Sequence, residues 1–200
     1  APLTRGGNLP FRRLCADFGM EVGVGEMVFA RYLLRGDPVE SARLRRASNE
    51  RVFGVQIATN CVEEGGRAID AAVDAGADFV DLNCGCPIHE ATRRGLGSAM
   101  LRNPSKLGRL IEGLAERAAR RDVPFTAKVR LGCEEDDITV LDVAREVAAA
   151  RGAGVAALTV HGRTARQGYS RPADWGMISN VVRELEGSGV AGGGEGDVHT

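Results

Sequence analysis

Apolar residues recur along this chain in two alternating rhythms. Runs with apolar residues at every second position predict strands over 22–27, 52–58, 79–83, 125–131 and 156–160, with a last one beginning at Val190. Ala1-Pro2-Leu3 reads as the tail of another strand. Between them, apolar spacings of three and four predict helices. Asn8 caps a helix carrying Phe11, Leu14, Cys15 and Phe18, which Gly19 ends. Asp37-Pro38, a cap followed by a first-turn proline, starts one over 39–47. Others are expected over 62–75, 104–120 and 173–186, and from Asp136 or Asp137 to Ala150.

A strand-plus-helix unit recurring about every 30 residues is compatible with a barrel or a doubly wound sheet. The reading favoured here is α/β, a (β/α)8 TIM barrel. About seven strands are visible, whereas a complete barrel typically takes about 250 residues. The expectation is therefore one catalytic domain over 1–200, a fragment incomplete at both ends and lacking its eighth strand.

Side-chain parity adds a second layer. Along each strand one face is apolar (Val55-Ile57, Val80-Leu82, Ala127-Val129, Leu158-Val160), as strands packed under helices require. The other face turns polar near its C-terminal end. Five strands thus aim Glu26, Gln56, Asn83, Lys128 and His161 at one mouth. Active sites of such barrels sit at that end of the strands. Taken singly, each residue has a plainer role: a strand-end amide satisfies loop backbone, Lys128 pairs with Asp81 or Glu26, and His161 is hydrogen-bonded in the core. Convergence at one rim weighs against that, because a purely structural layer would use Val, Ile and Leu.

Composition narrows the classes. The chain is 44% hydrophobic with 4% aromatics and 27 glycines, which suits tight βα turns and close helix–sheet packing. No apolar run approaches the ~20 residues of a membrane span. A net charge of −1 leaves any nucleic-acid contact to local patches. Five cysteines, an odd number, read as reduced thiols of a cytoplasmic or also nuclear protein. Among 26 cationic residues only Lys106 and Lys128 are lysines.

The stretch Asp81-Leu82-Asn83-Cys84-Gly85-Cys86-Pro87 concentrates the chemistry. Pro87 has no N–H to donate and ends the strand, so Cys86 falls just past it, with Gly95 and Gly97 in the following loop. Cys84 has the helix-facing parity, and no second Cys/His pair at ligand spacing follows, so no metal site is expected. Cys86 is the catalytic candidate. Glycines 192, 193, 194 and 196 are expected in a loop after the seventh strand, where barrels often hold phosphate.

These residues carry a resemblance. Asn83-Cys84-Gly85-Cys86-Pro87, Lys128-Val129-Arg130-Leu131-Gly132, His161-Gly162-Arg163-Thr164 and Gly194-Glu195-Gly196-Asp197 stand in the order found in the flavin-dependent tRNA-dihydrouridine synthases, which the chain resembles from end to end. The Cys86-Pro87-Ile88 form is most like the eukaryotic position-47 subgroup. The resemblance implies an FMN barrel that reduces a tRNA uridine to 5,6-dihydrouridine, with NADPH or NADH as reductant. It further implies that Pro2 and Leu3 lie along the flavin ring and that Gln56 and Lys128 bond its polar edge. His161, Glu195, Gly196 and Asp197 would hold the ribityl-phosphate, and Cys86 would donate the proton. Arg93, Arg94, Arg163 and Arg166 on rim loops, with Glu26 and Asn83, would face the RNA. The family usually has Asn where Glu195 stands, and Met is common where Leu3 stands. The family's C-terminal helical domain is expected to lie outside this fragment. A monomer is expected. Two other readings stay open: an FMN barrel acting on a small-molecule pyrimidine, and a non-catalytic RNA-binding remnant.

Overall fold

A computed structural model describes residues 2–3, 6–150, 152–169 and 171–195. In chain order its strands are β1 (Val22–Val24), β2 (Val28–Phe29), β3 (Val52–Ala58), β4 (Phe79–Cys84), β5 (Phe125–Arg130), β6 (Gly132–Glu134), β7 (Asp137–Ile138), β8 (Val155–His161) and β9 (Ala191–Glu195). The helices are α1 (Leu9–Asp17), α2 (Ala30–Leu33), α3 (Pro38–Arg43), α4 (Val62–Asp74), α5 (His89–Thr92), α6 (Pro104–Ala119), α7 (Val140–Ala149) and α8 (Trp175–Glu184). A 3₁₀ turn, Gly97–Arg102, precedes α6.

Seven strands form one all-parallel sheet in the order β1-β3-β4-β5-β8-β9, with β2 also paired to β3. Parallel neighbours need a crossover, and helices supply it between β3 and β4, β4 and β5, β5 and β8, and β8 and β9. This is part of a (β/α)8 barrel, as the rhythm of the chain predicts. Among the described residues the sheet stays open, with β1 and β9 as its edges.

The apolar parity holds throughout. Val55, Ile57, Val80, Leu82, Ala127, Val129, Leu158 and Val160 are fully buried, in one cluster with Ile69 of α4, Ile111 and Leu114 of α6 and Val143 of α7. Full burial of one such Val, Leu or Ile stabilises by roughly 1.5–3 kcal/mol, so this layer fixes the register of every strand above it.

Several local expectations are corrected. The strand expected over 22–27 breaks at residues 25–27 and resumes as β2. Pro2 and Leu3 belong to no strand; the Leu3 carbonyl instead accepts N–H bonds from Gly6 and Gly7. Asp137 does not cap α7 but pairs with Glu134 in a small hairpin. The helix starts at Val140 because the Leu131 carbonyl accepts N–H bonds from Thr139 and Val140. Glycines 192–194 are strand, not loop: a side chain at Gly194 would meet Ile178 of α8 at 2.4 Å, so glycine lets that helix lie directly on β9. Gly196 and Asp197 lie outside the described residues. In α1 the buried residue is Arg12, while Phe11, Leu14 and the C-cap Phe18 are exposed.

Candidate active site

The C-terminal ends of β3, β4, β5, β8 and β9 surround a cleft of about 330 Å³. Gln56, Asn83, Lys128, His161 and Glu195 reach it from those strands, and Cys86 closes it from the loop after β4. Strand register explains why they meet. Gln56 stands beside Asp81, Asn83 beside Lys128, Arg130 beside His161, and His161 beside Glu195.

A buried hydrogen-bond chain fixes the floor. Gln56 Nε2 donates to Asp81 Oδ2 at 2.7 Å, and Thr126 Oγ1 donates to Asp81 Oδ1 at 2.6 Å. Asn83 Nδ2 donates to Gln56 Oε1 at 2.8 Å. Burial raises the Asp81 carboxyl above the ordinary aspartate range, and the bonds from Thr126 and Gln56 oppose that shift. Asp81 therefore orients Gln56, which orients Asn83.

Asn83 sets the loop that carries Cys86. Its Oδ1 accepts the N–H groups of Gly85 at 3.3 Å and Cys86 at 2.9 Å, bending the chain off the strand and turning Cys86 into the cleft. Arg130 holds the same turn from the other side, donating from Nε to the Gly85 carbonyl at 2.9 Å and from Nη1 to the Thr164 carbonyl at 3.0 Å. The two cysteines part company here. Cys84 is fully buried in the helix-facing core, which pushes its thiol well above the usual range, whereas Cys86 lines the cleft.

Electrostatics on the far wall centre on Glu195. Its Oε1 pairs with Lys128 Nζ and lies 3.8 Å from His161 Nδ1. Burial, then the nearby Arg130 and Lys128 cations, lower His161 to about 4, so at neutral pH the ring is uncharged and its approach to Glu195 is not an ion pair. Arg163 Nη1 lies 3.3 Å from His161 Nε2. A guanidinium only donates, so Nε2 accepts and the ring proton sits on Nδ1, facing the cleft side occupied by Glu195.

The comparisons decide the family. The model of the dihydrouridine synthase (Dus) family matches residues 1–199. The chain belongs to the dihydrouridine synthase family. It is similar to the NAD(P)(+) tRNA-dihydrouridine(47) synthase of Malassezia globosa, at 41% identity over 188 residues, 92% of this chain and 24% of that protein. The corresponding protein of Coprinopsis cinerea is 40% identical over 185 residues, 91% of this chain and 27% of its own length. A tRNA-dihydrouridine(47) synthase-like protein of Homo sapiens is 37% identical over 202 residues, 98% of this chain and 29% of its own length. This chain thus spans less than a third of the length of these relatives.

In this chain of the dihydrouridine synthase family the expected site residues divide sharply. Pro2, Leu3, Gln56, Asn83, Cys86, Lys128, His161 and Glu195 line one cleft, with Arg130 and Tyr169 as additions that the strand pattern did not single out. Glu26 does not line it. Arg163 is 1% exposed, donates to the Arg171 carbonyl and packs 5.2 Å from the Tyr169 ring, so it is an internal brace and not a rim cation. Arg94 lies 4.5 Å from the Tyr32 ring centre and pairs with Glu90 at 2.7 Å, clamping α5 onto α2. Arg93, also paired with Glu90, and Arg166, 4.0 Å from Glu134, remain on the exposed rim. Tyr32 carried no signal beyond helical spacing, because its partners Glu90 and Arg94 are 58 and 62 residues away. Among the described residues no helix is long and apolar enough to cross a membrane.

Proposed function

We propose that residues 1–200 form the FMN-holding catalytic domain of a tRNA-dihydrouridine synthase acting at position 47, the position carried in its relatives' names. The observation behind this reading is the placement of Cys86: Asn83 fixes its backbone at a cleft whose opposite wall carries Lys128 and the His161 Nδ1–H group. The donor set suits a flavin. Pro2, Leu3, Pro87 and Ile88 offer apolar walls for a flat ring, and Lys128 and Gln56 offer a cation and an amide for its polar edge. His161 offers a neutral donor toward the ribityl-phosphate side, where Gly196 and Asp197 would contribute by family resemblance. FMN, reduced by NADPH or NADH, would supply hydride to uracil C6.

The residues of this chain then have separable tasks. Lys128 favours negative charge beside the ring once Glu195 yields it. The Cys86 thiol delivers the proton to uracil C5 as the enolate-like charge collapses, acting as a general acid. Asn83 and Arg130 keep that thiol in place. A uracil inside folded tRNA must leave its stack to reach Cys86, as in other base-modifying enzymes.

The test is Cys86→Ala in the full-length protein. Flavin reduction by NADPH should persist, while dihydrouridine formation on unmodified tRNA should fall by ~10²-fold or more, the scale of a lost general acid. Unchanged formation would sink the assignment. The Lys128–Glu195 pair favours a second reading, a flavin-free RNA-binding remnant, because it occupies the cation the cofactor needs. A colourless full-length protein would support that one.

A further inference from the structure

Outside the cleft, on the same rim of the sheet, a second cavity of about 460 Å³ opens between the start of α4, the start of α6 and the 3₁₀ turn. Its floor is apolar: Val62, Met100, Leu107 and Leu110. Polar groups stand around that floor. Asn60 Nδ2 donates to the Arg94 and Gly95 carbonyls at 3.0 and 3.4 Å, leaving Oδ1 as an acceptor. Asn103 Oδ1 takes the Lys106 N–H at 2.9 Å, leaving its amide as a donor. Lys106 and Arg109 also line the cavity, no carboxylate does, and neither cation has an ion-pair partner among the described residues. Glu146, the nearest acid on α7, is bonded to Ser105.

An apolar floor, one acceptor, one donor and two cations without an ion-pair partner among the described residues are what a nucleotide requires. We infer that this cavity holds one unstacked nucleotide of the RNA substrate, flanking the uridine presented to Cys86, with its phosphate on Lys106 and Arg109. RNA is favoured over the nicotinamide dinucleotide by position. The loop that walls the cavity, at Gly95 and Ala99, is the one whose Ser98 N–H bonds the Cys86 carbonyl at 3.0 Å. A polymer entering the cleft passes over that loop, and its neighbouring residue falls on the far side. Through Asn60 and the Gly95 carbonyl, occupancy also braces the loop behind Cys86. This inference rests on the tRNA reading above.

The test uses full-length protein, an unmodified tRNA transcript and NADPH. Lys106→Ala with Arg109→Ala should weaken tRNA binding at least tenfold and flatten the slope of log K against log salt by roughly 0.7–0.9, the contribution of the one phosphate they share. Ala99→Leu, which fills the cavity, should weaken tRNA binding with the slope unchanged. Half-saturation by NADPH in flavin reduction should not move in either variant. Wild-type tRNA affinity and salt slope in the double variant would overturn the inference, as would a rise in NADPH half-saturation with tRNA binding intact. A wild-type protein that binds no tRNA would instead overturn the functional reading beneath it.

Discussion

Gly97 is the position where one added methyl group should separate folding from chemistry. Its φ is +60°, and a Cβ there would stand 2.3 Å from the Cys86 carbonyl oxygen, about 0.7 Å inside the 3.0 Å that real Cβ atoms keep. The obstructing atom is backbone, so Gly97→Ala must push the Cys86 peptide away. That same oxygen accepts the Ser98 N–H at 3.0 Å, and such a displacement carries the bond out of hydrogen-bond range. Gly95 supplies the control. Its φ is +70°, but an added Cβ meets only the flexible amide of Asn60, at 3.3 Å. Gly95→Ala should therefore cost the left-handed backbone alone, about 1 kcal/mol. Gly97→Ala should cost about 2–3 kcal/mol, adding one lost hydrogen bond and residual crowding. Misplacement of a reacting group by about 1 Å costs on the order of 10² in rate. Dihydrouridine in an unmodified tRNA transcript, quantified by mass spectrometry, should fall about that far in Gly97→Ala. At saturating tRNA it should stay within a few-fold of wild type in Gly95→Ala, whose added Cβ borders the second cavity and would act on tRNA affinity instead. Flavin reduction by NADPH should be equal in both. Equal dihydrouridine rates in the two folded variants would refute the argument that the Gly97 contact positions Cys86.

Other consequences follow from the same geometry. Glu195→Gln removes the carboxylate that occupies Lys128 and should tighten FMN binding about tenfold, or about 1.4 kcal/mol, by flavin-fluorescence titration; unchanged or weaker binding would contradict the displacement of Glu195. Arg94→Ala should destabilise by about 1–2 kcal/mol, from its ring contact and ion pair, and slow dihydrouridine formation more than flavin reduction. Arg94→Lys should recover little, because an ammonium cannot stack as a planar guanidinium does. His161 is held near 4 in the fold against about 6.5 unfolded, so between those values the unfolded chain binds the extra proton. Its contribution to stability is present above pH 6.5 and lost as pH falls toward 4, by up to roughly 3 kcal/mol. Urea midpoints of wild type and His161→Gln should converge over that window, and parallel curves would exclude the linkage.

What could be read from the chain was what repeats locally. A period of two places Gln56, Asn83, Lys128 and His161 on one face of four neighbouring strands, and parallel pairing alone then brings them to one cleft. The proline after Cys86 and the positive-φ glycines that follow are equally local. What could not be read was the fate of the arginines. Arg12 is buried against Glu50, which lies 38 residues away, and stacks 4.7 Å from the Phe53 ring. Arg163 is buried by Tyr169 and the Arg171 carbonyl, and Arg94 is held by Tyr32, 62 residues distant. A guanidinium can be buried wherever carbonyls, carboxylates and ring faces converge, and only the assembled fold brings those together. In a chain whose cations are nearly all Arg, a basic residue on a rim loop is thus as readily a brace as an RNA contact. Lysine is less easily hidden, being a compact and strongly hydrated charge. The chain places one of its two lysines in the cleft and the other at the second cavity. Lys128 has drawn a carboxylate to it, as a half-buried ammonium requires, whereas exposed Lys106 has no ion-pair partner among the described residues and is left for an anion from outside the chain.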